Sequence, residues 1–270
     1  MGKHVNKLAG KHIVVVGGSG GIGSAVVKAA LECDAHVTIV ASSQKTADAA
    51  LSSVKAAYPD GQVVALACDL SKPTIEEDID ALLTRAAQLT GEIDHIVLSA
   101  ADRLPPAATQ TVSRDIMLAA SQMLMVLPFM IGKVGQKHLK GASSALDAGR
   151  DKSITVTSGT ISDTPAPGFT LSSFFAAGIN GLMRGLALDL APIRVNCVEA
   201  GPVDTPRWDA AFEGSGVDRS TGLNNMFKGL LIGRPAVPDE IAEAYMYLLR
   251  DTNTTGEVVR TGGGQHIKRP

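Results

Sequence analysis

Apolar, β-branched runs recur along this chain, spaced by stretches with helical periodicity. The runs are HIVVVGG (12–18), HVTIVA (36–41), QVVALA (62–67), DHIVLSA (94–100), SITVTS (153–158), IRVNCVEA (193–200) and EVVRTG (257–262). Residues 22–31, 46–57, 74–89 and 172–190 between them read as helices. Strands that are apolar almost throughout are buried on both faces, which calls for helices on either side of a parallel sheet. Right-handed crossovers then predict an α/β fold: a doubly wound, seven-stranded, mostly parallel sheet with helices on both faces. No linker or internal repeat breaks the pattern, so residues 1–270 read as a single domain. The longest greasy stretch, residues 116–131, carries Ser121, Gln122 and Pro128 and falls short of a membrane span. Its methionines (Met117, Met123, Met125, Met130) suit a buried or subunit-facing helix, or the lining of an apolar pocket. The Gly/Ser-rich residues 141–149 and 212–222 read as loops or a mobile flap.

Composition narrows the function. At 45% hydrophobic and 19% charged residues, a large core is available and disorder is not expected. A net charge of −2 supplies no basic surface for nucleic acid, whose phosphates demand clustered Lys and Arg. Cys33, Cys68 and Cys197 are few, odd in number and without metal-ligand spacing, so they read as free thiols of a reducing, cytoplasmic compartment, with no metal site. The first ten residues hold no apolar run fit for a secretion signal.

The first strand runs into Gly17-Gly18-Ser19-Gly20-Gly21-Ile22-Gly23, and a helix follows. Glycines there let the backbone turn tightly and approach a pyrophosphate at a helix N-terminus, as in Rossmann-type dinucleotide binding. An NAD-specific site usually has an acidic residue about 20 residues further on, for the ribose 2′-hydroxyl. Here the second strand ends in Ala41, Ser42 and Ser43, with Lys45 close by, a set suited to a 2′-phosphate. The cofactor expected is therefore NADP(H).

These motifs resemble those of the short-chain dehydrogenase/reductase family over essentially the whole chain. Gly17, Gly21 and Gly23 match its glycine pattern. Asp69-Leu70 resembles its adenine-contacting pair, and Ser99-Ala100-Ala101 lies where it has Asn-Ala-Gly. Gly201, Pro202, Val203 and Thr205 fall in the segment that approaches the nicotinamide carboxamide, with Ala200 in place of a proline. Residues 233–244 and 256–264 match the family's C-terminal pattern. The resemblance implies a homodimer or homotetramer, assembled through the fourth and fifth helices.

The same resemblance exposes a loss. The family's catalytic Tyr and Lys lie four residues apart on the fifth helix, and here those positions fall on Ser172 and Ala176. The Ser position falls on Gly159, beside Ser158, and the usual Asn position on Ser121, Gln122 and Met123. The three tyrosines, Tyr58, Tyr245 and Tyr247, are remote in sequence from this helix. Ketone reduction needs a proton on the developing alkoxide, and general acid help is typically worth about 10²–10⁴-fold. An iminium is already cationic, so a hydride alone completes its reduction. It asks instead for nearby negative charge and orientation.

Asp163, Asp102 and Ser158 are the candidate polar groups for that chemistry. Trp208, Phe169, Phe174, Phe175 and Phe212 are candidates for an apolar pocket wall. The chain is similar in these losses to divergent family members of fungal alkaloid pathways that reduce an iminium and guide a cyclisation. The expected reaction is reduction of an imine, iminium or similarly activated acceptor on an apolar or polycyclic small molecule, in specialised metabolism. Three alternatives stay open: a non-redox cyclase or isomerase, a catalytically silent NADP(H)-binding protein, and a ketoreductase with a replacement acid.

Overall fold

The computed structural model describes residues 6–101, 104, 106–139, 149–213 and 216–267. Asp102, one of the candidate polar groups, lies outside the described residues, as does most of the 141–149 loop. Seven strands form one sheet: β1 (His12–Val16), β2 (His36–Ala41), β3 (Val63–Ala67), β4 (His95–Leu98), β5 (Ser153–Gly159), β6 (Arg194–Ala200) and β7 (Val258–Thr261). Their order is β3-β2-β1-β4-β5-β6-β7, and every pairing among them is parallel. β1 lies between β2 and β4, so crossovers leave it in both directions and a crevice opens at the C-terminal edge. The first strand stops at Val16, earlier than the apolar run, because Gly17 takes φ +87° and turns the chain.

The helices are α1 (Gly21–Leu31), α2 (Gln44–Ala57), α3 (Ile75–Thr90), α4 (Arg114–Ser121), α5 (Leu127–Leu139), α6 (Thr170–Asp189), α7 (Asp209–Phe212), α8 (Arg219–Phe227) and α9 (Pro238–Arg250). Side chains alternate across the strands. Val14, Ile96, Ile154 and Val195 join Ile79 of α3, Ile131 of α5 and Met183 of α6 in one core. Ile13, Val37, Val97 and Val198 join Val26 of α1 and Ile241 of α9 in the other.

The greasy stretch proves longer than its apolar run. One π-helical turn, Gln122–Val126, joins α4 to α5. Pro128 has no N–H to give the preceding turn, and the helix widens just there. By length and composition alone, Arg114–Leu139 and α6 would each cross a membrane. In this fold α5 buries Leu127, Ile131, Val134 and Leu139 in the core, and α6 buries Phe175, Ile179 and Met183.

Charge is buried at the opposite, N-terminal edge. The Asp94 carboxylate accepts the His12 N–H at 2.9 Å and bonds from Lys11 Nζ and Lys152 Nζ, each at 3.0 Å. Burial pushes that carboxyl up, yet these bonds outweigh it and hold its pKa below the ordinary value. His12 and His95 stand beside it, both almost wholly buried. This cluster ties the strand starts together, far from the loops that form the crevice.

Candidate functional site

The glycine loop is shaped by close approach. A Cβ on Gly17 would stand 2.6 Å from the Ala100 nitrogen, and one on Gly23 would stand 2.2 Å from the Gly17 carbonyl oxygen. Ser99 and Ala100 both donate their N–H groups to the Val16 carbonyl, at 2.9 and 3.0 Å, and Ser99 Oγ donates to it at 3.1 Å. The end of β4 thus braces the base of the loop. Gly20 caps α1 with no side-chain bond, so the first N–H groups of the helix are left for an external acceptor. The space where a Gly20 Cβ would project is open; Gly20 is exposed, and Ser19 before it and Ile22 in the first turn of α1 are half-buried.

 Across the crevice, the Thr205 methyl lies 3.5 Å from where a Gly21 Cβ would stand. The glycine loop, braced by Ser99 and Ala100, and the segment Gly201-Pro202-Val203 leading to Thr205 therefore form two walls of one cradle.

The rim at the ends of β2 and β3 differs from expectation in detail. Ser42, Ser43 and Lys45 are all exposed. Ser43 caps α2: its Oγ accepts the Thr46 N–H at 3.3 Å and lies 2.8 Å from Thr46 Oγ1. That leaves Ser42 and Lys45 as the free polar groups of the set. Asp69 closes a local turn, accepting from the Ser71 hydroxyl at 2.7 Å and the Ser71 N–H at 3.1 Å. Those bonds hold its carboxyl below the usual range. Leu70 is buried beneath it.

On the substrate side, Gly159 ends β5 and Ser172 lies in the first turn of α6, one turn before the buried Ala176. Ser158 has a different task from the one expected of it. Its Oγ donates to the Ala176 carbonyl at 2.8 Å and is buried, because alternation along β5 turns it toward α6. None of the three tyrosines fills the gap. Tyr58 donates to Glu32 at 2.6 Å, Tyr247 lies 3.3 Å from Thr254 Oγ1, and Tyr245 is fully buried against Thr157 Oγ1 at 2.6 Å. Thr157 faces α9, the opposite side of β5 from Ser158. Ser121 donates to its own helix at Leu118, and Gln122 donates to the Lys72 carbonyl. The aromatic residues divide: Phe175 is core and Phe174 is exposed, while Trp208 packs edge-on against Phe227 at 5.2 Å.

Residues 4–268 match the family model described as an SDR-like Rossmann domain. The chain belongs to the short-chain dehydrogenase/reductase family. It is similar to the short-chain dehydrogenase/reductase fsr5 of Gibberella fujikuroi, 33% identical over 98% of this chain and 97% of that one. It is also 33% identical to the short-chain dehydrogenase/reductase malC of Malbranchea aurantiaca, over 97% of this chain and 96% of that one. The solved MalC reductase/Diels-Alderase superposes with a TM-score of 0.87, at 32% identity, covering 97% of this chain and 99% of that structure. A short-chain oxidoreductase of Pseudomonas aeruginosa PAO1 with an atypical catalytic center shares the fold, with a TM-score of 0.84 at 23% identity over 96% of this chain and 98% of that one. This chain is thus an oxidoreductase of the short-chain dehydrogenase/reductase type, and its glycine cradle fits the nicotinamide dinucleotide that the fold binds.

Sequence reasoning missed two residues of this short-chain dehydrogenase/reductase. Asp163, a candidate polar group in the sequence, is paired with Arg260, and Arg260 Nε donates to Glu199 Oε2 at 2.6 Å. Glu199 is completely buried. A signal was present: an acidic residue inside the apolar run IRVNCVEA, with an arginine inside EVVRTG, the run that becomes the neighbouring strand.

Proposed function

We propose that this chain is an NADP(H)-dependent reductase of an imine, iminium or similarly activated acceptor in specialised metabolism, with cyclisation of an apolar or polycyclic product as a coupled step. One observation carries the reading: Gly159, Ser172 and Ala176 stand where an acid would act, and all three tyrosines are engaged elsewhere. When bound, the cofactor would supply a hydride. An iminium carbon that accepts it becomes an amine carbon, the C=N π pair goes to nitrogen, and no proton is required. The side chains that remain need only orient the acceptor and favour its positive charge. Similarity to a reductase/Diels-Alderase supports the metabolic setting.

Stopped-flow mixing of the NADPH complex with a cyclic iminium should show NADPH oxidation. Tight cofactor binding with no oxidation by any such acceptor would defeat the reading, and product formed without NADPH consumption would make the chain a non-redox cyclase.

The absence of an acidic residue after β2, with Ser42 and Lys45 exposed beside the start of α2, supports NADP(H) over NAD(H). Fluorescence titration should give the lower Kd for NADPH, and Lys45→Ala should weaken NADPH about tenfold while leaving NADH unchanged. Tighter NADH binding would reverse the assignment. The exposed apolar side chains Ile116, Met117, Leu118 and Phe129 support assembly into a homodimer or homotetramer through α4 and α5.

A further inference from the structure

We propose that Arg260, anchored on the buried Glu199, is the positioning residue that fixes the Asp163 carboxylate at the rim of the substrate cleft. The proposal rests on the reductase reading above and adds to it the source of the negative charge.

Register brings the first two residues together. Glu199 of β6 is the direct partner of Arg260 on β7, so both side chains emerge from the same face of the sheet. That face is covered by α6, whose Asn180 donates Nδ2–H to Glu199 Oε1 at 3.0 Å. Ser162 donates its hydroxyl to the same oxygen. Oε2 takes the Arg260 Nε–H at 2.6 Å. Both oxygens of a completely buried carboxylate are therefore satisfied, and its charge is met by one guanidinium.

The guanidinium is a rigid planar fork, so anchoring Nε fixes where its other nitrogens point. Nη2 meets Asp163. Asp163 ends the single 3₁₀ turn Thr160–Ser162 that follows β5, and its N–H bonds to the Thr160 carbonyl at 3.3 Å. It therefore lies on the path from Gly159 to Ser172, the stretch from which the acid has been lost. A lysine's single, flexible ammonium could neutralise Glu199 but could not hold a second carboxylate by the same geometry.

The charge count is one cation between two carboxylates, a formal −1 at the ends of β5, β6 and β7. Asp163 is the solvent-facing member, with a side chain 53% exposed against 0% for Glu199. A cationic acceptor would meet it there without displacing a buried group. Among the described residues, Asp163 is paired with Arg260 from β7 and, through it, linked to Glu199 from β6. Glu240 and His266 line a cavity of about 560 Å³ that Arg260 also borders.

The test is the double variant Glu199→Gln with Arg260→Gln, which removes the buried charge and its partner together. NADPH affinity should stay within about twofold, because neither residue lines the glycine cradle. The maximal rate of iminium reduction should fall about tenfold with little change in KM, because the carboxylate is no longer held in place. Carbon-13 relaxation NMR of the Asp163 side chain should show it more mobile in the double variant than in the wild type, without any substrate. Arg260→Lys, which keeps a charge beside Glu199, should recover folding but only part of the rate. Unchanged Asp163 side-chain mobility in the double variant, or full rate in Arg260→Lys, would overturn the proposal. A wild-type protein that reduces no iminium would defeat the reductase reading alone, since the NMR relaxation measurement would still decide whether Arg260 holds Asp163.

Discussion

Gly23→Ala is expected to abolish NADPH binding while Gly20→Ala leaves the fold intact. The added methyl at Gly23 would stand 2.2 Å from the Gly17 carbonyl oxygen and 2.4 Å from Ser99 Oγ. Both neighbours are fixed. Gly17 turns the chain out of β1 at φ +87°, and Ser99 is bonded to the Val16 carbonyl through its hydroxyl and its N–H. The loop must move off β4 to admit the methyl, and overpacking of this kind costs about 1–3 kcal/mol. The larger loss is functional. The N–H groups at the start of α1 are useful to a pyrophosphate only where the loop holds them, and a displacement of about 1 Å removes that match. Affinity should fall by about 100-fold or more, read by NADPH fluorescence. At Gly20 the backbone is extended and a methyl meets no neighbour, so the melting temperature should be unchanged. Gly23→Ala with full affinity would show that the cradle is not where the dinucleotide lies.

A second large effect is expected from pH. Burial lowers the pKa of His95 to about 3, despite the opposing pull of Asp94, and burial also lowers that of His12. Each imidazole is instead satisfied by neutral partners. His95 Nδ1 lies 2.9 Å from Ser153 Oγ, and His12 bridges the Gly91 carbonyl at 3.0 Å and Thr38 Oγ1 at 2.8 Å. The unfolded chain takes up protons near pH 6.5, whereas the folded chain does not. Stability from these groups is therefore complete above about pH 6.5 and is lost as pH falls toward the folded values. For His95 alone the loss between pH 7.5 and pH 5.0 is about 2 kcal/mol. Urea denaturation at the two pH values should show a lower midpoint at pH 5.0, and His95→Asn should remove much of the difference. Equal midpoints for the wild-type protein would contradict the neutral, buried state of these histidines.

Much of the site was legible because its requirements are local. Gly17 and Gly23 are glycines for reasons of close approach that a strand–loop–helix pattern already announces. The loss at Ser172 and Ala176 is visible as soon as the helix is aligned to Asn180-Gly181-Leu182. Other assignments shifted once neighbours were known. Ser43 looked like a phosphate ligand and is a helix cap; Ser158 looked reactive and is bonded to Ala176. In both, a backbone partner only a few residues or one helix away claims the hydroxyl. The 116–131 run extended to Leu139 because packing on the sheet, not hydropathy alone, sets where a helix ends.

The order of strands and helices, the glycine cradle and the missing tyrosine and lysine were set by the sequence itself, since each depends on spacing along the chain. The Glu199–Arg260–Asp163 chain of charge was decided only by the tertiary structure. Glu199 and Arg260 are 61 residues apart, and Asp163 and Arg260 are 97 apart. Strand register determines such meetings, and register depends on how whole faces pack rather than on any local pattern.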